Sequence, residues 1–389
     1  MWRRVELRNY RSIERVSVDL APFTVLVGPN GSGKSNFADA LVFARDVATD
    51  AATAVQRRGG IAAVRRWRPT KPTDVTVDIR AARSQEALET DYVRHQFTIH
   101  SGREGTWTFS RELIEVMVRA QPALRLERTS KKLNVAPPQK FTLPSQRDRV
   151  INALSETASA MVLARQLRDL SQHTALRNVR RIRLNPEAMR QPQVFAESAR
   201  LDESGSNIAV AYRSLRPSVQ EGVIEAMRKI VPGLARISVE PFDRFLLLRF
   251  DQRQAGNQVA TFSAAEMSEG ALRALGILVA AQQMSKDELL IIEEPEVSIH
   301  VGAAQLLFDV LEKASRKGAV LVTTHSADLL DAARDEAILV CSYRAGVTRI
   351  GQLSSAQREV VREGLFSVAE LMRSEPLRIE GETPEVVEH

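Results

Sequence analysis

Cysteine is almost absent from this chain of 389 residues, since Cys341 is the only one. A single cysteine excludes an internal disulfide and a zinc site built from several cysteines. No apolar run approaches the ~18 residues of a membrane-spanning helix, and the N-terminus lacks the apolar core of a secretion signal. These absences predict a cytoplasmic protein with no membrane partner.

Lysine is scarce too, with nine in the whole chain, so arginine supplies most of the positive charge behind the net charge of +6. A basic balance permits contact with a nucleic-acid backbone, but so small a charge on so long a chain does not establish it. Arginines concentrate at residues 57–68 and 165–190. They could contact phosphates, or they could form a solvated helix face or salt bridges to the acidic C-terminal tail. We favour the second interpretation.

The most specific motif is GPNGSGKS at residues 28–35, which fits the phosphate-loop pattern G-x-x-x-x-G-K-[ST]. An apolar run predicts a buried strand at 23–27, and helical spacing follows at 36–47. Lys34 would reach the β- and γ-phosphates, and the Ser35 hydroxyl would ligate Mg²⁺. The loop between strand and helix would surround the phosphates with backbone N–H groups, which belong to Asn30, Gly31, Ser32 and Gly33. The motif therefore predicts a site for ATP or GTP with magnesium.

A second apolar run, residues 288–292, ends in Glu293 and Glu294, which is the form of a Walker B strand. Glu293 would hold magnesium, and Glu294 would orient or deprotonate the attacking water. Two carboxylates at the end of a buried strand are costly unless a cation lies between them. This pattern favours a functional role over a structural one.

A third apolar run, residues 319–324, leads directly to His325. A histidine at that position could hydrogen-bond the γ-phosphate or hold the attacking water. Glu296 and His300 are weaker candidates, because a role at the start of a helix suits them equally well.

Ser268, Glu269 and Gly270 precede a helix predicted at 271–284. Ser268 as an N-cap would be unremarkable by itself. The same arrangement also offers a helix N-terminus and a serine hydroxyl to an anion. The residues alone leave both interpretations open.

Taken in order, GPNGSGKS, MSEGALRALGIL, LLIIEEPEVSIH and VTTHS resemble the ATP-binding-cassette heads of the RecF, SMC and OLD group of ATPases. The opening LRNYRSI at residues 7–13 also looks like the first strand of that group. The likeness extends over nearly the whole chain and is nearest to short bacterial ATPases that lack a nuclease domain. It implies an α/β P-loop NTPase fold of the ABC head type, with a mixed sheet, an antiparallel addition and an inserted helical lobe.

The resemblance also implies roles for particular residues. Ser268, Glu269 and Gly270 match the signature motif, which in this family completes the nucleotide site of a second subunit. A homodimer that sandwiches two ATP molecules with Mg²⁺ is therefore expected. Glu293 takes the magnesium position, Glu294 the catalytic position and His325 the switch position. Arg11 is expected to approach the nucleotide from the N-terminal strand, and the Q-loop residue stays open, with Gln96 as a candidate.

We expect the chain to form three lobes. Residues 1–120 form an N-terminal ATPase lobe, 121–235 an inserted and largely helical lobe, and 236–389 a C-terminal ATPase lobe. Within the insertion, proline and lysine predict a linker at 121–144, and apolar periodicity predicts a helix at 149–170.

Further absences narrow the function. Only 64 residues follow His325, which we take as too few for the nuclease domain of full OLD-type enzymes. Long heptad runs and a C-x-x-C hook are missing as well, which argues against long-armed SMC or repair ATPases. We expect an ATPase that dimerises on ATP and acts in DNA repair, DNA maintenance or anti-phage defence. The alternative is a regulatory ATPase that controls a separate toxin or nuclease effector without binding DNA, and a metabolic kinase is disfavoured.

Overall fold

In the computed structural model, residues 1–68, 71–102, 104–129, 133–136, 157–161, 176–332 and 337–382 are described. Thirteen strands from these ranges form one sheet in the order β8-β7-β6-β5-β4-β1-β2-β17-β16-β3-β15-β14-β9. In chain order they are β1 (Trp2–Tyr10), β2 (Ile13–Asp19), β3 (Phe23–Val27), β4 (Val75–Ala82), β5 (Tyr92–Ser101), β6 (Trp107–Val118), β7 (Gln121–Thr129), β8 (Leu133–Ala136), β9 (Val179–Ile182), β14 (Leu289–Glu293), β15 (Ala319–Thr324), β16 (Ile338–Arg344) and β17 (Val347–Gln352). The predicted mixed α/β architecture is confirmed.

Strands β9, β14, β15, β3 and β16 run parallel to one another in the sheet. In this register Glu293 on β14 lies beside Thr323 on β15, and Thr324 lies beside Val27 on β3. The carboxyl ends of the three strands therefore meet at one edge, where ligands of open α/β sheets bind.

The other end of the sheet is antiparallel, from β1 and β2 out through β4 to β8. This is the predicted antiparallel addition. The linker predicted at 121–144 is wrong for 121–129 and 133–136, which form β7 and β8, and its other residues lie outside the described ranges. Leu124 and Leu126 alternate along β7 and are buried against the sheet. Pro122 is tolerated because it pairs with Met117 at an irregularity in the ladder, where no regular donor is needed.

Helices cover both faces of the parallel strands. Within the described ranges the helices are α1 (Lys34–Gln56), α2 (Ile61–Val64), α3 (Pro186–Arg190), α4 (Ile208–Arg213), α5 (Pro217–Arg228), α6 (Glu269–Gln282), α7 (Val301–Ala314), α8 (Ser355–Arg362) and α9 (Val368–Ser374). Alternate residues of a strand point to opposite faces, so Leu26 and Ile291 pack in the hydrophobic cluster that contains α1, whereas Val25 and Leu290 pack in the cluster that contains α6 and α7. Among the described residues no helix is long and apolar enough to cross a membrane.

A second sheet packs against α4 and α5. Its central strand β12 (Phe245–Arg253) pairs with β10 (Gln193–Val194), β11 (Leu234–Phe242) and β13 (Val259–Ser263). The described part of 121–235 thus holds strands as well as helices, and the three-lobe division stays a prediction. The helix predicted at 149–170 lies outside the described residues except at 157–161, and it is wrong for residues 157–160, which are not helical.

Glu288, just before β14, is fully buried and joins three elements. Its carboxylate accepts hydrogen bonds from Arg180 Nε on β9 (2.8 Å), from Arg200 and from the backbone N–H of Ser285 (2.7 Å). Burial alone would raise the pKa of Glu288, but Arg180 and these hydrogen bonds hold it below its ordinary value. Arg180 also donates to the carbonyl of Ala280 on α6, so this cluster fastens the edge strand β9 to the sheet.

We expect Glu288→Ala to lower the free energy of unfolding by about 3–5 kcal/mol, because it leaves a buried arginine without its partner. Urea denaturation measures the change. The matched control is Glu225→Ala on the exposed face of α5, which should change stability by less than about 0.5 kcal/mol. Equal effects of the two variants would contradict the described role of Glu288.

Candidate nucleotide-binding site

The phosphate loop joins β3 to α1 and packs closely against its surroundings. Gly33, the N-cap of α1, has φ 108°, a conformation that residues with a Cβ rarely adopt. A Cβ on Gly33 would lie 2.1 Å from Thr348 Oγ1, and one on Gly28 would lie 2.1 Å from the carbonyl oxygen of Cys341. Glycine is therefore required at both positions for steric reasons.

Lys34 is buried within this loop. Its Nζ donates to the carbonyl oxygens of Gly28 (2.8 Å) and Pro29 (3.0 Å). Burial lowers the pKa of Lys34, and the nearby Glu294 acts in the opposite direction. The amine is thus held at the loop by two carbonyl groups, and phosphate oxygens could replace these acceptors.

Ser35 and Glu293 meet across the edge of the sheet, where Ser35 Oγ donates to Glu293 Oε2 at 2.8 Å. Burial raises the pKa of Glu293, while Ser35 and Arg181 oppose this shift. Within the described part of the chain Glu293 Oε1 has no hydrogen-bond partner, and the guanidinium of Arg181 lies 3.8 Å away. A hydroxyl beside a carboxylate oxygen that accepts no hydrogen bond suits Mg²⁺, which prefers oxygen ligands and takes its other ligands from phosphates and water.

Among the described residues no three His, Cys, Asp or Glu side chains converge as a metal-binding group. The candidate magnesium position is therefore a pair of residues, Ser35 and Glu293. Phosphate oxygens and waters would supply the other ligands of a nucleotide-bound Mg²⁺.

Glu294, His325 and Glu296 form a polar group beside the loop. His325 Nδ1 lies 3.8 Å from Glu294 Oε1 and 3.6 Å from Glu296 Oε1. Glu296 also accepts from Thr324 Oγ1 (2.6 Å) and from the backbone N–H of His325 (3.3 Å). Of the two weaker candidates, Glu296 thus joins the site, whereas His300 caps α7 by accepting from the N–H of Gly302.

The segment Ser268 to Gly270 lies at the start of α6. Ser268 is its N-cap and accepts from the N–H of Ala271 at 3.2 Å. Glu269 accepts from Ser298 Oγ at 3.4 Å, and a Cβ on Gly270 would lie 2.1 Å from the carbonyl oxygen of Ser298. Since Ser298 follows Glu294 by four residues, the signature segment packs on the loop that carries the predicted catalytic carboxylate.

Arg11 lies on the turn after β1 and contacts α1. Its guanidinium pairs with Asp39 Oδ2 (3.1 Å) and donates to Asn36 Oδ1 (3.5 Å). Asp39 is buried and also accepts from Tyr10 and Arg58. The predicted contact of Arg11 with nucleotide stays a prediction. Sequence reasoning missed Asp39, although an acidic residue on the apolar side of α1 was a signal for it.

Two further residues, the Q-loop candidate Gln96 and Arg181 of the arginine cluster at 165–190, lie on strands β5 and β9. Gln96 is on β5 in the antiparallel part, where its side chain accepts from Arg94. Arg181 on β9 pairs with Glu203, and its guanidinium lies 3.5 Å from Asp39. Of the two options in the favoured interpretation of the arginine cluster, salt bridges to the C-terminal tail are wrong for Arg180 and Arg181, which pair with Glu288 and Glu203.

We expect Gly270→Ala to destabilise the protein by about 1–3 kcal/mol, because the new methyl group overlaps the Ser298 carbonyl. Chemical denaturation measures it. Gly222→Ala on α5 is the matched control, since a Cβ there has open space, and alanine should stabilise the helix by about 0.5–1 kcal/mol. A Gly270 variant as stable as this control would contradict the contact with Ser298.

Comparison with solved structures agrees with the fold of this chain. A solved SMC head bound to the C-winged helix domain of ScpA aligns with a TM-score of 0.54 and 16% identity, over 92% of this chain and 99% of that one. The SMC head with an extended coiled coil from Pyrococcus furiosus, bound to the C-terminal domain of ScpA, aligns with a TM-score of 0.50 and 16% identity, over 94% and 99%.

Among curated proteins, the chromosome partition protein Smc of Methanocaldococcus jannaschii is 51% identical over 41 residues. That stretch is 10% of this chain and only 4% of the relative. The profile of the family described as "AAA domain, putative AbiEii toxin, Type IV TA system" matches residues 23–331. The chain therefore belongs to this AAA-domain family, and its fold is the ABC-type ATPase fold of SMC heads.

Proposed function

We propose that this protein binds ATP with Mg²⁺ and hydrolyses it. The observation that carries the proposal is the meeting of three strand ends at one edge of the sheet. This meeting of strand ends places Lys34 and Ser35, at the end of the phosphate loop, next to Glu293. Glu294 and His325 lie beside them. This combination of an amine, a hydroxyl and paired carboxylates is the equipment that phosphoryl transfer to water requires.

Each group has one task in this proposal. Lys34 exchanges its two carbonyl acceptors for β- and γ-phosphate oxygens. Ser35 and Glu293 would hold Mg²⁺, which would supply positive charge to the phosphates. Glu294 accepts a proton from the attacking water or orients it, and a half-exposed carboxylate is accessible to that water. His325 lies between Glu294 and Glu296, so its orientation depends on both carboxylates.

We propose further that the active form is a homodimer with two ATP molecules between the subunits. Ser268 and Glu269 are exposed at the N-terminus of α6, so a second copy can reach them. A helix N-terminus with a serine hydroxyl is suited to an anion. Each subunit would then supply its signature segment to the nucleotide on its partner.

Two variants separate binding from hydrolysis. Lys34→Ala should weaken ATP binding about 10- to 100-fold, because it removes charge-assisted hydrogen bonds to phosphate. Glu294→Gln should keep ATP binding but lower kcat by about 10²- to 10⁴-fold, and it should accumulate as the ATP-bound dimer. Calorimetric titration measures ATP binding, phosphate release measures kcat, and light scattering measures the dimer.

Lys313→Ala on the exposed surface of α7 is the control for the loss of a lysine and should behave as wild type. If Glu294→Gln stays monomeric at saturating ATP, the dimer hypothesis fails although ATP binding stands. If the wild-type protein does not bind ATP, the whole proposal fails.

Two biological roles are candidates for this ATPase. The first is an ATPase that acts directly on DNA in repair, maintenance or defence. The second is a regulatory ATPase that controls a toxin or nuclease effector. The internal pairs of Arg180 with Glu288 and of Arg181 with Glu203 favour the second, because they neutralise two charges on which DNA binding would depend. The two solved SMC heads are bound to domains of another protein, ScpA, which also supports a protein partner.

Charge reversal at Arg183 tests this choice, because its side chain is exposed whereas Arg180 is part of the Glu288 cluster. We expect Arg183→Glu to leave any binding of duplex DNA unchanged, measured by fluorescence anisotropy between 50 and 200 mM salt, about the range in which phosphate contacts dominate. A clear loss of affinity and a reduced salt slope in the variant would favour the DNA candidate instead.

A further inference from the structure

Thr348 on β17 is fully buried and lies against the phosphate loop. Its Oγ1 donates to the backbone carbonyl oxygen of Ser32 at 2.8 Å, and Cys341 Sγ contacts the same oxygen at 3.4 Å. The Thr348 side chain also occupies the space that a Cβ on Gly33 would need. A residue more than three hundred positions along the chain thus contacts the centre of the loop.

Thr348 is one member of a chain of hydrogen bonds. Asn36 Nδ2 donates to Ser12 Oγ at 2.6 Å, and Ser12 Oγ lies 2.7 Å from Thr348 Oγ1. A hydroxyl has one hydrogen to donate, and that of Thr348 is used on Ser32. Ser12 must therefore donate to Thr348, so the bonds run in one direction from Asn36 through Ser12 and Thr348 to the loop. Bonds in such a series strengthen one another.

Arg11 stands at the beginning of this series. It donates to Asn36 Oδ1 at 3.5 Å and pairs with Asp39. Because Oδ1 of Asn36 faces Arg11, Nδ2 of the same side chain faces Ser12. The first turn of α1, the turn after β1 and strand β17 are connected in this way to a single carbonyl of the phosphate loop.

The direction of that carbonyl decides where the next amide points. A peptide unit is planar and trans, so the C=O of Ser32 and the N–H of Gly33 point to opposite sides. When Thr348 holds the carbonyl outward, the Gly33 N–H faces the interior of the loop. We propose that Thr348 is a positioning residue for nucleotide binding, and that Ser12 and Asn36 set the direction of its hydroxyl group. This inference rests on the proposed nucleotide site.

Two substitutions at one position separate the hydroxyl from the shape of the side chain. Thr348→Val keeps the shape and loses the donor, and Thr348→Ser keeps the donor. We expect Thr348→Val to weaken binding of the non-hydrolysable analogue adenylyl imidodiphosphate by about 3- to 10-fold, which is the loss of one net hydrogen bond. KM for ATP should rise by a similar factor with little change in kcat, and Thr348→Ser should restore both to within about twofold.

Ser12→Ala tests the series of bonds itself. It should weaken analogue binding in the same direction as Thr348→Val, and the double variant should be no weaker than Thr348→Val alone, since coupled residues are not additive. Melting temperatures without nucleotide are measured for every variant, because a merely structural role would lower them and leave the affinity of the folded protein unchanged.

The outcomes are distinct. Wild-type protein that does not bind the analogue would overturn the proposed function. Wild-type binding with an equally tight Thr348→Val variant would overturn this inference alone. Additive losses in the double variant would overturn the role of Ser12 in orienting the Thr348 hydroxyl.

Discussion

The register of the parallel strands is the constraint on which the rest of the site depends. Strands β3, β15 and β14 lie side by side, with Val27 beside Thr324 and Thr323 beside Glu293. A slip of one residue would turn every side chain of a strand to the other face of the sheet. Both faces of these strands are buried, one under α1 and one under α6 and α7, so packing on two sides holds the register. The meeting of Lys34, Ser35, Glu293 and His325 follows from it.

Buried charge connects this edge to the elements around it. Asp39 on α1 and Glu288 before β14 are carboxylates with arginine partners, and each joins segments that are distant in the chain. Such pairs contribute little net stability compared with apolar packing, but losing one partner is costly because the other stays buried and unpaired. Their effect here is to hold β9 and the β1 turn in place beside the site. They also occupy arginines that the sequence alone leaves available for nucleic acid.

The loops of the site depend on close backbone contacts that only small residues allow. Gly28 and Gly33 lie against Cys341 and Thr348, and Gly270 lies against Ser298. Through Ser298, the start of α6 is in contact with the loop that follows Glu294. Residues of β16 and β17 therefore pack against the phosphate loop. The loop that follows β14 packs against the segment Ser268 to Gly270.

The sequence by itself, through its motifs and the family resemblance that they carry, determined the fold class, the strand before the phosphate loop and the candidate residues from Lys34 to His325. These are local patterns, in which a period of two or 3.6 and a few fixed residues carry the information. The tertiary structure decided the role of residues that have no local pattern. Thr348 and Asp39 are identified by their neighbours in space, Arg180 and Arg181 by their internal partners, and β7 by its pairing with β6. Glu296, a weak candidate from the sequence, is distinguished from His300 by its contacts with Thr324 and His325. Such contacts join residues far apart in the chain, and no spacing within one segment can predict them.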